Sequence, residues 1–364
     1  MVNFFMLKGM TNKGCDMKYP YVVAEIGGNH NGDLDLAKRM IKSAKECGAD
    51  AVKFQLYRRC DLWTEKHLKD LNDGIVKLEN VSSWSTKELG LKDIFAQVDR
   101  FSVQENEHIE FFKYARECGI DYGTSAFTKR DVDFCIDQKV ATLKIASCDV
   151  TNLDLVEYVI SKDYPVHIAL GMATMAEIEA IVDIVPENLR RNVTLLHCVS
   201  LYPPQDGMVN LRFIETLRRS FGLNVGYSDH TLGFEVPLAA MALGSSVVEK
   251  HFTLDKKMPG WDHAVSADPF EMQIICRAAR RIADALGDGI KKLSRDELAK
   301  RDKFRRSIAI IKPLKAGQEI TYNDIAFKRP GTGISADRFR EVIGCHVNHD
   351  IEADTTLFWE DLVK

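Results

Sequence analysis

Residues 225–253 read VGYSDHTLGFEVPLAAMALGSSVVEKHFT and contain one complete strand–helix–strand pattern. Two short apolar runs, Val225–Tyr227 and Ser246–His251, have the length and composition of buried β-strands. Between them, apolar residues recur every three to four positions, which predicts an amphipathic helix. A strand, a helix and a second strand in this order predict two parallel strands joined by a helical crossover.

The same unit recurs along most of the chain, and together the units predict an α/β fold. Eight parallel strands with helices between them favour a closed (β/α)8 TIM barrel, and an open doubly wound sheet is the structural alternative. The eight predicted strands are Tyr21–Ile26, Ala51–Leu56, Ile120–Ser125, Ala141–Ala146, Val166–Leu170, Val193–Cys198, Val225–Tyr227 and Ser246–His251.

Polar side chains stand at or just past the ends of these strands. In a TIM barrel the carboxyl ends of the strands meet at one face, and that face carries the chemistry. The sequence therefore predicts one site built from many strands. The residues concerned are Glu25, Lys53, Gln55, Thr124, Ser125, Lys144, Ser147, Gly171, His197, Ser200, Ser228, His230 and His251.

The 364 residues are enough for one barrel and a small second domain. We expect a leader at 1–19, the barrel at 20–286, a charged linker at 287–304 and a small β-rich domain at 305–364. One connection, Tyr57–Val103, is unusually long and contains Trp63 and Trp84. Long connections are commonly functional, so we expect short helices there that form part of the rim of the barrel mouth.

Composition argues against several classes of partner. The formal net charge is −4, with acidic and basic residues interspersed, which predicts neither a nucleic-acid partner nor a membrane partner. The nine cysteines are odd in number and form no Cys-x-x-Cys pair, so we expect reduced thiols rather than a disulfide framework. The apolar stretch near the N-terminus is too short for a signal peptide, and these features together predict a cytoplasmic protein.

Two histidines, His230 and His251, lie at the ends of predicted strands seven and eight. Neighbouring strands are roughly 5 Å apart, so two imidazoles at these positions could share one metal ion. Two histidine ligands with open positions suit a divalent ion such as Mn, Fe or Zn. The alternative is that each histidine is a hydrogen-bonded polar residue of the barrel rim.

Two lysines, Lys53 and Lys144, interrupt strands that otherwise look buried. A buried lysine needs an anionic partner or a shifted pKa, and the nearby hydroxyl side chains favour a phosphate or carboxylate ligand. Internal ion pairs with Glu25 or Glu249 are the plain alternative, and a Schiff-base lysine of a class I aldolase is another. Glu25 itself could orient a substrate hydroxyl, act as a base or neutralise Lys53.

A set of motifs in this order resembles the N-acylneuraminate (sialic acid) synthase family across nearly the whole chain. The resemblance implies a TIM barrel followed by an antifreeze-like (SAF) domain, in a swapped homodimer where one chain's small domain closes the other's site. The motifs are Ala24–Gly32, Lys53–Gln55, Lys144–Ser147, Leu196–Cys198 with Tyr202-Pro203, Ser228–Thr231, His251–Thr253 and Lys328–Gly333.

The resemblance also implies an activity. It is the condensation of phosphoenolpyruvate with an N-acyl hexosamine, either N-acetylmannosamine or a diacetamido-trideoxyhexose, and water to give a nonulosonic acid of sialic or legionaminic type and phosphate. A divalent metal, Mn or similar, and no organic cofactor are implied. The implied residues are His230 and His251 for the metal; Lys53, Ser125, Lys144, Ser147 and Ser228 for phosphoenolpyruvate; Glu25, with Lys53 and Lys144, for catalysis; and Gln55, Asp149, Tyr202, Asp262 and the partner chain's Arg329 for the sugar.

The sequence departs from the family pattern at several positions. The usual Ser-Thr-Gly-Met after strand five is Ala169–Met172, which predicts the loss of two hydroxyls facing the phosphate. Ser200 stands where Asn is common, Asp149 where Glu is common, and Trp261 where Pro is usual. Two alternatives remain: a synthase of the Kdo 8-phosphate type, which lacks the antifreeze-like tail, and a non-catalytic sugar-binding relative.

Overall fold

Eight parallel strands close into a barrel in the order of the sequence, in a computed structural model that describes residues 19–75 and 93–363. Each strand pairs with its neighbours in the chain, and the first strand also pairs with the eighth. The predicted TIM barrel is confirmed. The strands are β1 Tyr21–Glu25, β2 Ala51–Leu56, β3 Asp121–Ala126, β4 Thr142–Ile145, β5 Val166–Ala169, β6 Val193–Cys198, β7 Asn224–Asp229 and β8 Val247–His251.

The register of the strands decides which side chains meet inside the barrel. Glu25 at the end of β1 is level with Lys53 of β2 on one side and with His251 of β8 on the other. In the same way, Ser125 of β3 is level with Lys144 of β4. Because side chains alternate between the two faces of a strand, residues level with each other share a face.

Helices surround the barrel and bury their apolar faces against its outer surface. The first of them begins after Asp33, whose carboxylate accepts hydrogen bonds from the backbone N–H groups of Asp35 and Leu36, and it ends at Gly48, where φ is 93°. The helices of the first unit are α1 Leu34–Cys47, α2 Arg59–Leu62, α3 Glu65–Asn72, α4 Ile94–Phe101, α5 Glu105–Cys118, α6 Lys129–Asp137, α7 Leu153–Ser161, α8 Met175–Asp183, α9 Asp206–Val209, α10 Phe213–Phe221, α11 Glu235–Ala242 and α12 Pro269–Leu286.

The long connection after β2 carries the short helices α2, α3 and α4. Tyr57, Leu68 and Val98 form a small apolar cluster there, and Trp63 and Trp261 pack against it. Trp261 belongs to the segment after β8, so the connection contacts the loop at the mouth of the barrel. Trp84 lies outside the described residues.

The chain divides into two compact units between Gly287 and Asp288. In the second unit, β10 (Ile325–Lys328), β9 (Ser307–Ile310) and β12 (Thr355–Thr356) form a three-stranded antiparallel sheet in that order, and β11 (His346–Val347) pairs with β13 (Leu362–Val363). A helix, α13, occupies much of the stretch for which the sequence predicted a linker. The elements of this unit are α13 Arg295–Phe304, β9 Ser307–Ile310, β10 Ile325–Lys328, α14 Phe339–Val342, β11 His346–Val347, β12 Thr355–Thr356 and β13 Leu362–Val363.

None of the helices in residues 19–75 and 93–363 is both long enough and apolar enough to cross a membrane.

Candidate active site at the barrel mouth

Lys53 and Glu25 form a buried ion pair on the inner face of the barrel. The Lys53 ammonium also donates to the Ser125 hydroxyl at 3.1 Å. Gln55 donates to the other oxygen of Glu25, Nε2 to Oε1, at 3.0 Å. Burial raises the pKa of the Glu25 carboxyl, although the charge of Lys53 acts in the opposite direction. The predicted residues Glu25, Lys53, Gln55 and Ser125 therefore form one cluster.

A second ion pair joins Lys144 to Glu249. The Ser228 hydroxyl lies 3.1 Å from Glu249 Oε1 and 3.4 Å from the Lys144 ammonium. Burial alone would lower the pKa of Lys144, but Glu249 and Glu25 raise it above its ordinary value. Burial alone would raise the pKa of Glu249, but Lys144 and Lys53 bring it below its ordinary value. Both members of this pair are therefore charged at neutral pH.

Glu249 was missed as a site residue in the sequence, where it entered only as a possible partner for a lysine. A signal for it was present, because Glu249 precedes His251 by two residues in β8 and so faces the same side of the strand. The pairs of Lys53 with Glu25 and of Lys144 with Glu249 are the internal ion pairs that the sequence offered as an alternative.

The rings of His230 and His251 lie together at the other side of the mouth, with their centroids 5.4 Å apart. The Tyr202 ring packs on His230 at a centroid distance of 4.0 Å. His230 Nδ1 lies 2.8 Å from the Val199 carbonyl oxygen, so Nδ1 carries a proton and Nε2 is the nitrogen that could bind a ligand. The Asp262 carboxylate lies 3.7 Å from His251 Nδ1.

The group formed by His230, His251 and Asp262 is called the histidine corner. The ionisation of its side chains suits a metal ligand at His251. Burial and the neighbouring His230 lower the pKa of His251 well below its ordinary value, so its imidazole is neutral. Burial also lowers the pKa of His230, but the Cys198 thiol and the Val199 carbonyl raise it above its ordinary value. Burial raises the pKa of Asp262 to about 6. Metal binding at His230 would release the second imidazole proton.

The donor set fits a divalent metal held by two imidazoles. The buried Nδ1 of His251 has no hydrogen-bond partner among the described residues. Buried polar atoms are normally paired, so this nitrogen is a candidate ligand for a metal. The Val199 carbonyl fixes the orientation of His230, as second partners of metal-binding histidines do. Within the described part of the chain, no three His, Cys, Asp or Glu side chains are arranged to hold a metal. The remaining positions would be left to water or substrate.

The ends of β4, β5 and β6 bring Ser147, Gly171 and Ser200 together. The Gly171 N–H donates to the Ser147 hydroxyl at 3.1 Å. A Cβ atom on Gly171 would lie 2.7 Å from Ser147 Oγ and only 2.2 Å from Ser200 Oγ. The two hydroxyls therefore occupy the space above this glycine.

The family has hydroxyl side chains at positions 169 and 170, and only position 169 faces the interior of this barrel. Leu170 packs in the apolar layer between the barrel and its helices, together with Ile168 two residues earlier. Ala169 and His167 alternate with them and face the barrel interior. The expectation that position 170 faces the phosphate is wrong, because the alternation of the strand turns its side chain outward.

Three other predicted residues have hydrogen-bond partners of their own. Asp149 accepts a hydrogen bond from the Asn152 amide at 3.2 Å near the start of α7. His197 makes a 2.7 Å hydrogen bond with the Val209 carbonyl instead of facing the mouth. Arg329 belongs to the second unit, where its Nε donates to the Phe304 carbonyl at 3.1 Å.

Comparison with known proteins matches both units to families. The sequence model of the NeuB family matches residues 40–291, and that of the SAF domain matches residues 305–363. The chain is 37% identical to the N,N'-diacetyllegionaminic acid synthase of Legionella pneumophila, over 98% of each chain. It is 36% identical to the enzyme of the same name from Campylobacter jejuni, over 90% of this chain and 96% of that one.

A solved structure of a synthetase is also similar to this chain. It is the N-acetylneuraminic acid (sialic acid) synthetase of Leptospira borgpetersenii in complex with citrate, with a TM-score of 0.66 and 31% sequence identity, over 78% of this chain and 90% of that one. The family match covers most of the barrel, and the Legionella relative covers almost the entire sequence. The chain belongs to the NeuB family.

Proposed function

We propose that this chain is an enzyme that condenses phosphoenolpyruvate with an N-acyl amino sugar and water to give a nonulosonic acid and phosphate. One observation carries the proposal: two inward lysines with hydroxyl neighbours and two neighbouring imidazoles share one end of a single barrel. The relatives named N,N'-diacetyllegionaminic acid synthase favour a diacetamido-trideoxyhexose as the acceptor, with N-acetylmannosamine as the alternative.

The anion would bind between the two lysines. Lys53 with Ser125, and Lys144 with Ser147 and Ser228, would hold the phosphate and carboxylate oxygens through charge-assisted hydrogen bonds. These contacts would hold the reacting carbons of phosphoenolpyruvate in a fixed orientation towards the acceptor. Glu25, which already accepts from Gln55, lies on the same face and would hold a proton or a sugar hydroxyl near the reacting carbons.

The sugar would bind on the histidine side of the mouth. A divalent ion held by His230 and His251 would supply a Lewis acid for the aldehyde oxygen of the open-chain sugar. Tyr202 and Asp262 border this corner and would orient the acceptor. Asp149, in the turn between β4 and α7, would reach the sugar only from the rim.

Closure by a partner subunit is part of the proposal. Arg329 would reach the sugar from the SAF domain of a second copy in a swapped homodimer. Light scattering would measure the oligomeric state, and mixing inactive Lys53→Met chains with inactive Arg329→Ala chains would test the swap. Recovered activity in the mixture supports it, because mixed dimers hold one site with both residues intact. No recovery after confirmed subunit exchange rejects it.

Two other functions are weaker. A synthase of the Kdo 8-phosphate type shares the barrel but lacks a SAF domain, which this chain has. A non-catalytic sugar-binding protein would have no need for two internally paired lysines beside two histidines.

A panel of acceptors tests the proposed reaction. Purified full-length protein is incubated with phosphoenolpyruvate, Mn²⁺ and single N-acyl hexosamines, while phosphate release and product mass are recorded. We expect phosphate release with at least one acceptor and a product mass equal to acceptor plus phosphoenolpyruvate plus water minus phosphoric acid. Lys144→Met should abolish the reaction and the exposed Lys162→Met should not. Binding of phosphoenolpyruvate without turnover of any acceptor would instead favour the non-catalytic sugar-binding protein.

A further inference from the structure

Asp262 is the one member of the histidine corner that does not lie on, or directly after, a barrel strand. His251 ends β8 and His230 follows β7, whereas Asp262 lies in the loop between β8 and α12. Its carboxylate nevertheless reaches to 3.7 Å from His251 Nδ1. Loops vary in position more than the strands that they connect, so other contacts must hold Asp262 at this distance.

Asn29, in the turn after β1, contacts this loop through its side-chain amide. The side chain is fully buried, and its Nδ2 donates to the Phe252 carbonyl at 2.9 Å and to the Ser266 hydroxyl at 2.8 Å. A carbonyl oxygen can only accept, so the amide nitrogen and not the amide oxygen must face Phe252. The Phe252 N–H in turn donates to the Glu25 carbonyl at 2.7 Å. Asn29 is therefore tied to the backbone at the ends of β1 and β8.

Ser266 connects Asn29 to Asp262. Its hydroxyl oxygen accepts from Asn29, and its single proton is donated to the Asp262 carbonyl oxygen at 2.6 Å. The same carbonyl oxygen also accepts from the Val265 N–H at 3.1 Å, so both of its lone pairs are used. Two hydrogen bonds thus fix the backbone of Asp262, and the backbone sets the direction in which the carboxylate points.

We propose that Asn29, through Ser266, is a positioning residue that holds the Asp262 carboxylate beside His251, on the acceptor side of the site. This inference rests on the proposed function, because that function assigns Asp262 to the acceptor sugar. Asn29 and Ser266 themselves would not bind the sugar, since protein atoms already take every hydrogen that their side chains can donate. The two lysines of the anion site take no part in this chain of hydrogen bonds, so phosphoenolpyruvate binding should not depend on it.

A split between the two substrates tests this. KM and kcat are measured for the full-length protein with Mn²⁺, phosphoenolpyruvate and either N-acetylmannosamine or a diacetamido-trideoxyhexose. Ser266→Ala should raise the KM of the acceptor by about three- to tenfold, the range for one buried hydrogen bond, and leave the KM of phosphoenolpyruvate unchanged. Asn29→Ala should raise the KM of the acceptor at least as much, because it removes both bonds of the amide.

Ser102→Ala is the matched control. The Ser102 hydroxyl also accepts from a side-chain amide, that of Gln104 at 2.9 Å, and also donates to a carbonyl, that of Asp99 at 3.0 Å. It lies at the end of α4 and has no bond to the loop that carries Asp262. Ser102→Ala should therefore leave both KM values as they are in the wild type.

A double-mutant cycle with Asp262 separates positioning from a general loss of stability. In the Asp262→Asn background the carboxylate is already gone, so adding Ser266→Ala should change the KM of the acceptor by no more than about twofold. Where a variant turns over too slowly, the dissociation constant of the same acceptor, measured by calorimetry, replaces KM.

Three results would overturn the inference. They are an unchanged acceptor KM in a folded Ser266→Ala protein, equal rises in the KM of both substrates, and full additivity of Ser266→Ala with Asp262→Asn. If Asn29→Ala does not fold, Ser266→Ala and the cycle decide alone. A wild type that turns over neither acceptor would instead refute the proposed function, and the inference with it.

Discussion

Lys250 donates a hydrogen bond to Asp229 across strands β8 and β7, with 2.6 Å between Nζ and Oδ2, and both side chains are fully buried. The other carboxylate oxygen of Asp229 accepts from the Tyr227 hydroxyl at 2.9 Å and from the Thr231 N–H at 3.0 Å. The pair lies on the outer side of the barrel, since Tyr227 belongs to the layer beneath the helices. In sequence it adjoins His230 and His251, so it fixes the backbone that carries both rings.

Removal of one partner of this pair should destabilise the protein strongly. Lys250→Met leaves the Asp229 carboxylate buried without its countercharge, and we expect a loss of about 3–5 kcal/mol in the free energy of unfolding. Urea denaturation followed by circular dichroism measures it. Lys162→Met, which breaks the exposed pair with Asp133, is the matched control and should change the midpoint little. Equal effects of the two substitutions would contradict this account.

Buried histidines should make the barrel sensitive to acid. Burial lowers the pKa of His108 to about 3, whereas an unfolded chain has a histidine pKa of about 6.5. Below pH 6.5 the unfolded state binds a proton that the folded state does not, so stability falls as the pH falls. In His108→Gln the loss of unfolding free energy between pH 7 and pH 5 should be about 2 kcal/mol smaller than in the wild type. Urea titrations at both pH values test this, and parallel losses would refute it.

A methyl group on Gly171 should disturb the anion site more than the fold. Its Cβ would collide with the hydroxyls of Ser147 and Ser200, and both are side-chain ends that can rotate away. Gly171→Ala should therefore weaken phosphoenolpyruvate binding by about tenfold or more, since two donors move. Gly207→Ala meets no atom within 4 Å and serves as the control. Unaltered binding in Gly171→Ala would show that these hydroxyls do not hold the anion.

Leu170 should matter for stability alone. Its side chain is 4% exposed within the apolar layer, so Leu170→Ala should cost about 2–4 kcal/mol of unfolding free energy. Its dissociation constant for phosphoenolpyruvate should equal that of the wild type, because the side chain points away from the site. Thermal unfolding and calorimetry give the two quantities. Weaker binding of phosphoenolpyruvate together with an unchanged melting temperature would contradict this assignment.

Metal content should depend on the histidine corner. His251→Gln should bind Mn²⁺ more weakly than the wild type in equilibrium dialysis followed by elemental analysis, because one imidazole of two is lost. His349→Gln, in the second unit, changes an exposed ring and is the control. Metal removed by chelation and then returned should restore turnover in the wild type. Equal Mn²⁺ binding by the two variants would exclude His251 as a ligand.

Much of the fold followed from the sequence because its signal is periodic. Apolar runs alternating with helical stripes predict the barrel, and strand ends predict which residues gather at its mouth. The outward orientation of Leu170 was missed because a family motif was used for this position, and a motif does not say which side of the barrel wall a side chain faces. The helix α13 was missed because all its residues are exposed and charges dominate it, so no apolar stripe marks it.

The site was harder to predict where residues act in pairs. Glu249 and Lys144 are 105 positions apart, and only the closure of the barrel makes them neighbours. The approach of Ser200 to Gly171 depends on backbone positions within an ångström, which no spacing in the sequence encodes. Residue types at strand ends therefore predicted the chemistry, whereas the partners of each residue required the structure.

The pairing of each inward lysine with a glutamate has a consequence for how the barrel folds before any ligand binds. Two ammonium groups confined in one narrow lumen would repel each other while the chain folds. Glu25 and Glu249 neutralise the two ammonium groups, so the barrel can fold without a bound anion. An anion that binds must then compete with these carboxylates for the two lysines. Its affinity is the difference between its own interaction with the lysines and that of the glutamates, and this favours ligands that carry more negative charge than a carboxylate.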